Sequence, residues 1–391
     1  MYPPYKSYLP LFLVLFLLLF SCDNQEEGKK EGTVDEQVVV RVREAVDATT
    51  LNPITASGEL SGYLSMKLFQ SLLSIDYKTL EFVPLLAESR PISQLLPSGK
   101  VKMSYNIREE ARWDNGKSIT ADDVAFSLKI LKNPYSSNVG SGSFYESIED
   151  IRYEQGSKSF DIIFSEAYIL NEIASGDYAI LPRHLYDTNA YLKDFTVEQL
   201  SNPNSAYSPD EILALSNFDE EFNSIAFQRD KKYISGSGAY ELEQWVSGQR
   251  IELVKKKNWW ADHLDKENTL FENNADKLVY IIIPDNTSAL LALKNRELDV
   301  MRAIPAKDFL KLKRDSSFLQ DFKLYSPDQS SYHYIGLNQK SPFLKDKELR
   351  QAIRTAFDVE KIIKLVSKGY AKRILSPIPL FDYLLFLQRL F

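Results

Sequence analysis

The amino-acid sequence predicts an α/β protein with mixed sheets, and three segments carry that prediction. Residues 101–107 alternate apolar and polar side chains, which is typical of a strand with one buried face. Residues 120–132 repeat apolar side chains at helical spacing. Residues 240–253 form two alternating segments around a Ser-Gly-Gln turn, which indicates a hairpin.

Composition excludes several classes of function. The chain has 391 residues and a net charge of −7, which argues against a nucleic-acid-binding protein. Its three histidines, His184, His263 and His333, are far apart in sequence, and Cys22 is its single cysteine. No metal-ligand spacing and no internal disulfide can be built from these residues, so we expect no metal and no cofactor.

The N-terminus carries a targeting signal. The apolar run from Leu11 to Phe20 is shorter than the roughly 20 residues of a transmembrane helix. It fits the apolar region of a secretory signal peptide, and Leu19-Phe20-Ser21-Cys22 resembles a lipobox. We therefore expect residues 1–22 to be a lipoprotein signal peptide with lipidation at Cys22, and residues 23–36 to be a flexible tether. The alternative is an uncleaved signal anchor with an incidental thiol.

The first elements of the folded chain follow in order. The apolar residues 38–42 predict a strand. Residues 47–53 end in Asn-Pro, which resists helix and indicates a loop. Apolar residues at helical spacing over 63–73 predict a helix, and residues 76–79 a turn.

The best-defined local pattern comes next. After the strand over 101–107, Asp114-Asn115-Gly116 predicts a turn. Thr120 is placed to cap a helix whose first turn holds Asp122 and Asp123. Acidic residues in a first turn favour the helix dipole, so we interpret both as capping groups and not as catalytic acids.

The remaining elements are predicted by the same reasoning. Residues 147–164 alternate as strands, and residues 195–232 are polar and irregular, with one short helix near 209–215. Beyond the hairpin we predict, in order, a strand over 278–283, a helix over 287–294, a strand over 298–300, a helix opened by Pro305, a strand end entering a loop at 332–338, and helices capped by Asp346 and Asp358.

A resemblance connects these segments. Gly236, Gly238 and Tyr240, followed by Asn258 and Trp259-Trp260, resemble the signature region of the family 5 solute-binding proteins, the peptide- and nickel-binding partners of bacterial ABC importers. The run from Trp113 to Ser127 and the segment from Asp76 to Ser89 also match family patterns. The resemblance spans Val38 to Pro379 with the motifs in the family's order.

The resemblance implies a two-lobe fold like that of the periplasmic binding proteins, of class II and of the large type with an extra subdomain. The expected divisions are a discontinuous first lobe (37–56 and 176–277), an inserted subdomain (57–175), a partial second lobe (278–379) and an atypical apolar tail (380–391). The family pattern stops at Pro379, so we expect an incomplete second lobe, as in a truncated family member.

The resemblance also implies a function without chemistry: capture of an oligopeptide or similar solute between the lobes and delivery to ABC permease subunits. The expected protein is a monomer that is anchored in the bacterial cell envelope and binds no nucleic acid. The residues expected to bind the ligand are Thr50, Asn52, Gly236, Ser237, Gly238, Tyr332, Tyr334 and Asn338.

Two alternatives come from other functional classes. A secreted hydrolase is weakened by the lack of a Gly-x-Ser-x-Gly motif and of a zinc motif, although a catalytic carboxylate pair stays open. A surface adhesin or glycan-binding lipoprotein is the other. The resemblance leaves the solute open as well, since members of the family also take up nickel complexes, haem, sugars or opines.

Overall fold

The computed structural model describes residues 37–374, apart from Tyr77 and residues 138–144, 265–268 and 328–330. The predicted signal peptide, Cys22, the whole tether at 23–36 and the tail at 380–391 lie outside the described residues. Within the described ranges, no helix is both long and apolar enough to cross a membrane.

Eleven strands are described, in sheets of five, four and two strands. They are β1 (Val39–Glu44), β2 (Leu73–Ile75), β3 (Phe82–Pro84), β4 (Ile92–Leu95), β5 (Val101–Asn106), β6 (Ile148–Tyr153), β7 (Ser159–Phe164), β8 (Tyr240–Val246), β9 (Arg250–Lys255), β10 (Lys277–Ile282) and β11 (Val300–Met301).

Twelve α-helices are described between and after them. They are α1 (Glu59–Leu68), α2 (Ala121–Lys132), α3 (Asn171–Gly176), α4 (Arg183–Tyr186), α5 (Val197–Ser201), α6 (Pro209–Phe222), α7 (Ile225–Arg229), α8 (Asn286–Lys294), α9 (Ala306–Leu312), α10 (Phe318–Asp321), α11 (Lys347–Ala356) and α12 (Val359–Leu365).

The five-stranded sheet is mixed, as predicted. Its order is β11-β1-β10-β9-β8. Strand β1 is parallel to both neighbours, β10 and β11, while β8, β9 and β10 form an antiparallel meander. The predicted hairpin is β8 and β9. One large core of buried side chains, including Leu64, Phe126 and Phe218, packs with this sheet.

The four-stranded sheet is antiparallel throughout, in the order β4-β5-β7-β6. The predicted strand over 101–107 is β5, and the strands expected within 147–164 are β6 and β7. A second core, which includes Met103, Val124 and Leu128, lies between this sheet and α2. Alternation in β5 therefore buries one face of the strand against one face of the helix.

The start of α2 confirms the capping interpretation. The Thr120 N–H donates to Asp123 Oδ2 at 3.1 Å, and the indole N–H of Trp113 donates to the same oxygen at 3.2 Å. Burial raises the pKa of the Asp123 carboxyl, although these hydrogen bonds lower it. Asp123 therefore holds the helix start and the preceding Trp113 together, which is a structural task.

Several local predictions are wrong in detail. The helix expected over 63–73 spans Glu59–Leu68 instead, and Leu73 opens strand β2. The helix expected near 209–215 extends over Pro209–Phe222, because Phe218 and Phe222 are buried on the large core and stack on each other at 5.4 Å between ring centroids. Residues 332–338, expected to end a strand, have no described strand beside them. Apolar alternation alone does not make a strand, since a strand needs a neighbour for its backbone hydrogen bonds.

Two elements at the predicted domain bounds pack otherwise than expected. Helix α1, expected in the inserted subdomain, contributes Leu60, Leu64 and Leu68 to the core of the five-stranded sheet. Strand β10, expected to open the second lobe, lies between β1 and β9 in that same sheet. The bounds at 57 and 278 remain predictions, and these contacts favour grouping both elements with the first lobe.

The segment after β10 builds a small third core around Leu293, Leu298, Leu312 and Phe318. Arg296, at a position where the family pattern has glycine, adopts a left-handed backbone with φ of 60°. Helices α11 and α12 are capped by Asp346 and Asp358, as predicted, and contribute no buried residue.

Candidate functional site

The turn formed by residues 236–238 is held directly against the end of helix α1. The Gly238 N–H donates to the Leu68 carbonyl at 3.0 Å. A Cβ at Gly238 would lie 2.2 Å from the Lys67 carbonyl oxygen, and one at Gly236 would lie 2.3 Å from the Leu68 carbonyl oxygen. Only glycine allows two backbones to approach this closely, so the Gly-x-Gly pattern is explained by packing.

The middle residue of the turn, Ser237, is buried and forms hydrogen bonds with both tryptophans of the Trp259-Trp260 pair. Its carbonyl accepts from the indole N–H of Trp259 at 2.8 Å and of Trp260 at 2.9 Å. Asn258, just before the pair, has φ of 58°, a left-handed conformation that asparagine tolerates better than most residues. The Ser237 hydroxyl has no hydrogen-bond partner within the part of the chain that the structure describes.

A buried lysine fixes the same turn from the other side. Lys256 Nζ donates to the Gly236 carbonyl at 2.7 Å and pairs with Asp114 Oδ1 at 2.6 Å. The Ser235 hydroxyl donates to Asp114 Oδ2 at 2.5 Å. Burial lowers the pKa of the Lys256 ammonium, and Asp114 opposes that shift. The predicted turn at Asp114-Asn115-Gly116 is thereby joined to the start of the hairpin.

Thr50 and Asn52, both expected to bind the ligand, are buried in a compact loop. The Thr50 hydroxyl accepts from the Asn52 N–H at 3.0 Å, and Asn52 Oδ1 accepts from the Ile54 N–H at 3.1 Å. The side-chain nitrogen of Asn52 has no hydrogen-bond partner among the described residues. The loop rests on α1, because the Ser61 hydroxyl accepts from the Thr49 N–H at 3.1 Å.

Tyr332, Tyr334 and Asn338 occupy a different environment. Tyr332 is 42% and Tyr334 77% exposed, and their ring centroids are 5.7 Å apart. Asn338 Oδ1 accepts from the Lys340 N–H at 3.0 Å. Helix α1 therefore brings the Thr50–Asn52 loop and the 236–238 turn together, whereas no described hydrogen bond or ring contact joins them to the tyrosine segment.

A charged cluster that our reading of the sequence missed lies at the other end of α1. Arg302 Nη2 bonds Glu44 Oε1, and Arg302 Nη1 lies 3.3 Å from Glu59 Oε1. The guanidinium carbon is 4.0 Å from the ring centroid of Tyr63. Burial raises the pKa of the Glu44 carboxyl, while Arg302 lowers it. Since Arg302 is far from Glu44 and Glu59 in sequence, no local pattern could have revealed this cluster.

Two further features of the described residues bear on ligands. No group of three His, Cys, Asp or Glu side chains among them is arranged to hold a metal ion. A cavity of about 300 Å³ lies in the region after β10, and none of the residues expected to bind the ligand lines it. Its lining is Phe309, Lys313, Leu319, Leu324, Ser326 and Tyr370.

Comparison with solved structures identifies the fold. AppA from Bacillus subtilis, solved in complex with a nonapeptide, superposes with a TM-score of 0.65 at 24% identity, over 88% of this chain and 59% of AppA. NikZ from Campylobacter jejuni, solved in complex with Ni(L-His), superposes with a TM-score of 0.63 at 20% identity, over 87% of this chain and 57% of NikZ. The predicted fold, that of the two-lobe solute-binding proteins, is confirmed.

Comparison with curated proteins agrees. Oligopeptide-binding protein AppA of B. subtilis is 26% identical over 372 residues, which cover 92% of this chain and 58% of AppA. The dipeptide-binding protein of Escherichia coli is 25% identical over 349 residues, 83% of this chain and 56% of that protein. The chain thus spans less than two thirds of the length of these relatives.

A family profile matches most of the chain. The profile of the "Bacterial extracellular solute-binding proteins, family 5 Middle" matches residues 81–384. Its relatives are named for binding and not for catalysis, in agreement with the expectation that the protein is not an enzyme. The chain belongs to family 5 of the bacterial extracellular solute-binding proteins.

Proposed function

We propose that this protein captures oligopeptides, or a solute of similar size, in the bacterial cell envelope and delivers them to the permease subunits of an ABC importer. The observation that carries the proposal is the similarity to a protein named for oligopeptide binding along 92% of this chain. We infer a monomer that works by binding and release.

The proposed contacts with the solute are of two kinds. Tyr332, Tyr334 and Asn338 are exposed on a segment that no described strand pairs with, so its backbone is suited to meet an extended peptide by main-chain hydrogen bonds. Asn52 and Ser237 each keep a buried polar atom without a partner among the described residues. Such atoms call for a hydrogen-bonding group, which a bound solute or an ordered water would supply. Thr50, Gly236 and Gly238 shape the surroundings of these two.

Titration calorimetry of the full chain with a mixed pool of short peptides tests the proposed function, and mass spectrometry before and after checks the pool for turnover. Binding with full recovery of the peptides is expected, with Kd in the micromolar range, about −8 kcal/mol. Depletion of the peptides would favour the hydrolase. Absence of binding, together with adhesion to cells that lack the permease, would favour the adhesin.

Replacing Tyr332 by alanine is expected to weaken peptide binding about tenfold, because an aromatic side chain at the centre of a binding surface contributes on the order of 1–2 kcal/mol. The melting temperature should stay nearly unchanged, since the side chain is exposed. Tyr325→Ala, at another exposed tyrosine, is the matched control and should leave affinity unaltered. A large loss of stability with unaltered affinity would instead make Tyr332 a core residue.

We propose that Cys22 is lipidated. Replacing Cys22 by alanine is then expected to move the protein from the membrane pellet to the supernatant, because the tether at 23–36 has no apolar surface to replace the acyl chains. Ser21→Ala changes the neighbouring residue and should keep the protein in the pellet. Sedimentation of the C22A protein with membranes after cleavage of the signal peptide would contradict lipidation.

A further inference from the structure

The cluster around Arg302 holds a guanidinium in a fixed orientation. The arginine follows β11, and its guanidinium is engaged on three sides, by Glu44, by the face of Tyr63 and by Glu59. Arginine stacked on an aromatic ring and bonded to a carboxylate presents a planar fork of donors in a fixed direction. Glu44 and Tyr63 fix that direction, and Glu59 is the outermost of the three partners.

The two fixing partners are held in place. The Glu44 side chain is only 11% exposed, so its ion pair with Arg302 is shielded from solvent. Glu44 also belongs to β1, and the Glu44 carbonyl accepts from the Ile283 N–H at 2.8 Å. Tyr63 lies on α1 and supports the flat side of the guanidinium. The orientation of Arg302 is therefore set before any ligand arrives.

The third partner, Glu59, is replaceable. Its side chain is 76% exposed and meets Arg302 through one contact at 3.3 Å, and its same oxygen also accepts from the Tyr63 hydroxyl at 3.2 Å. Exposed ion pairs of this kind contribute only about 0–1 kcal/mol. An external carboxylate could instead take two charge-assisted hydrogen bonds from the guanidinium, which are stronger.

The cluster borders the loop that carries two of the proposed ligand residues. Helix α1 holds Glu59 and Tyr63 on the turn that also holds Ser61, whose hydroxyl accepts from the N–H groups of Thr49 and Thr50. The Thr50–Asn52 loop and the Arg302 cluster therefore both contact the first turns of α1.

We propose that Arg302 recognises a carboxylate of the solute, and that Glu59 occupies its outer side until the solute displaces it. This inference rests on the proposed function, since it assigns a specificity to the same site. A cationic solute group fits less well: Glu44 is already paired, and the exposed Glu59 is not preorganised. The carboxylate could come from the C-terminus of a peptide or from an acidic side chain.

Three tetrapeptide pools made from Ala, Ser and Gly separate these sources in calorimetry with the full chain. One pool has a free C-terminus, one is C-terminally amidated, and one is amidated and contains one Glu. We expect the free or the Glu-containing pool to bind about tenfold more tightly than the amidated pool, the value of one charge-assisted hydrogen-bonding group. Arg302→Gln should abolish the difference, and Glu59→Gln should increase affinity for the preferred pool up to about fivefold.

Controls keep the test independent of folding. Arg296→Gln removes another ion-paired arginine, at Asp321, and should leave the preference intact. Arg302→Lys keeps the charge opposite Glu44 and should fold where the glutamine variant does not, yet it should lose most of the preference because lysine lacks the fork. Equal binding of all three pools to the unmodified protein, or a preference that survives in both Arg302 variants, would overturn the inference.

A second probe separates this inference from the proposed function. Succinate, a dicarboxylate that is not a peptide, is titrated while the arginine Nε–Hε resonances are followed by NMR, with the Arg302 signal assigned from its absence in the lysine variant. A shift of that signal at millimolar succinate supports the anion site even if no peptide pool binds, in which case only the peptide function fails. An unmoved Arg302 signal would overturn the inference whatever the peptides do.

Discussion

Replacing Gly238 by alanine is expected to destabilise the protein by on the order of 3 kcal/mol, because the new methyl group meets backbone that cannot move aside. An added Cβ would lie 2.2 Å from the Lys67 carbonyl oxygen and 2.7 Å from the Leu68 carbonyl carbon. If the turn moved away from α1 to relieve this clash, the hydrogen bond from the Gly238 N–H to the Leu68 carbonyl, 3.0 Å long, would break. Urea unfolding measures the effect as a lower midpoint.

Gly62→Ala is the matched control, since Gly62 lies within α1 and a Cβ there would have no heavy atom within 4 Å. Alanine in a helix interior should stabilise by about 0.5–1 kcal/mol. An unfolding midpoint for Gly238→Ala equal to that of the unmodified protein would show that the turn at 236–238 and helix α1 are not in the described contact.

Replacing Asp114 by asparagine is expected to cost about 2–3 kcal/mol at neutral pH. The change leaves the buried Lys256 ammonium with the Gly236 carbonyl but without its anionic partner. Unpairing a fully buried charge costs about 3–5 kcal/mol, and the value is reduced here because the Asp114 side chain is 35% exposed. Thermal or urea unfolding of the variant reports the loss.

The pH dependence identifies the cause. Burial lowers the pKa of Lys256 in the folded state below its unfolded value of about 10.4, so the unfolded chain binds more protons between the two values. Because Asp114 opposes that shift, its removal lowers the pKa of Lys256 in the folded state further and widens the window. The free energy of unfolding of the D114N protein should therefore rise, relative to that of the unmodified protein, as pH increases through the window. Asp308→Asn removes the exposed pair with Lys311 and should change stability by less than about 0.5 kcal/mol at any pH. A D114N deficit that is constant with pH would rule out the buried charge.

Local chemistry explains which elements could be predicted from the sequence. The cap at Thr120 and the hairpin around residue 248 depend on residues within a few positions of one another, and both were predicted. The helix at 209–222 was predicted too short because Phe218 and Phe222 are placed by the distant core against which they pack. The segment 332–338 reads as a strand, but a strand also needs a neighbour.

The candidate site was likewise only partly predictable from local sequence. The residues at 236–238 were singled out from the sequence as ligand-binding residues, which stays a prediction. The reason for the two glycines, the backbone of α1, lies far away in sequence. Thr50 and Asn52 were expected to face a ligand, which stays a prediction. The contacts that the structure shows for them are hydrogen bonds that hold their own loop together. Arg302 carries no motif; its role follows from three partners that only the folded chain brings to it.

The position of β1 in its sheet has a consequence for the order of folding. The four-stranded sheet is complete once residue 164 has been synthesised, whereas both neighbours of β1 are supplied by residues 277–301. Strands this far apart in sequence pair slowly, because a long loop of chain must close before their hydrogen bonds and side-chain contacts can form. The first of the described strands to be synthesised is therefore among the last to find partners, and until then its Val39-Val40-Arg41-Val42 stretch is open to pairing with other chains.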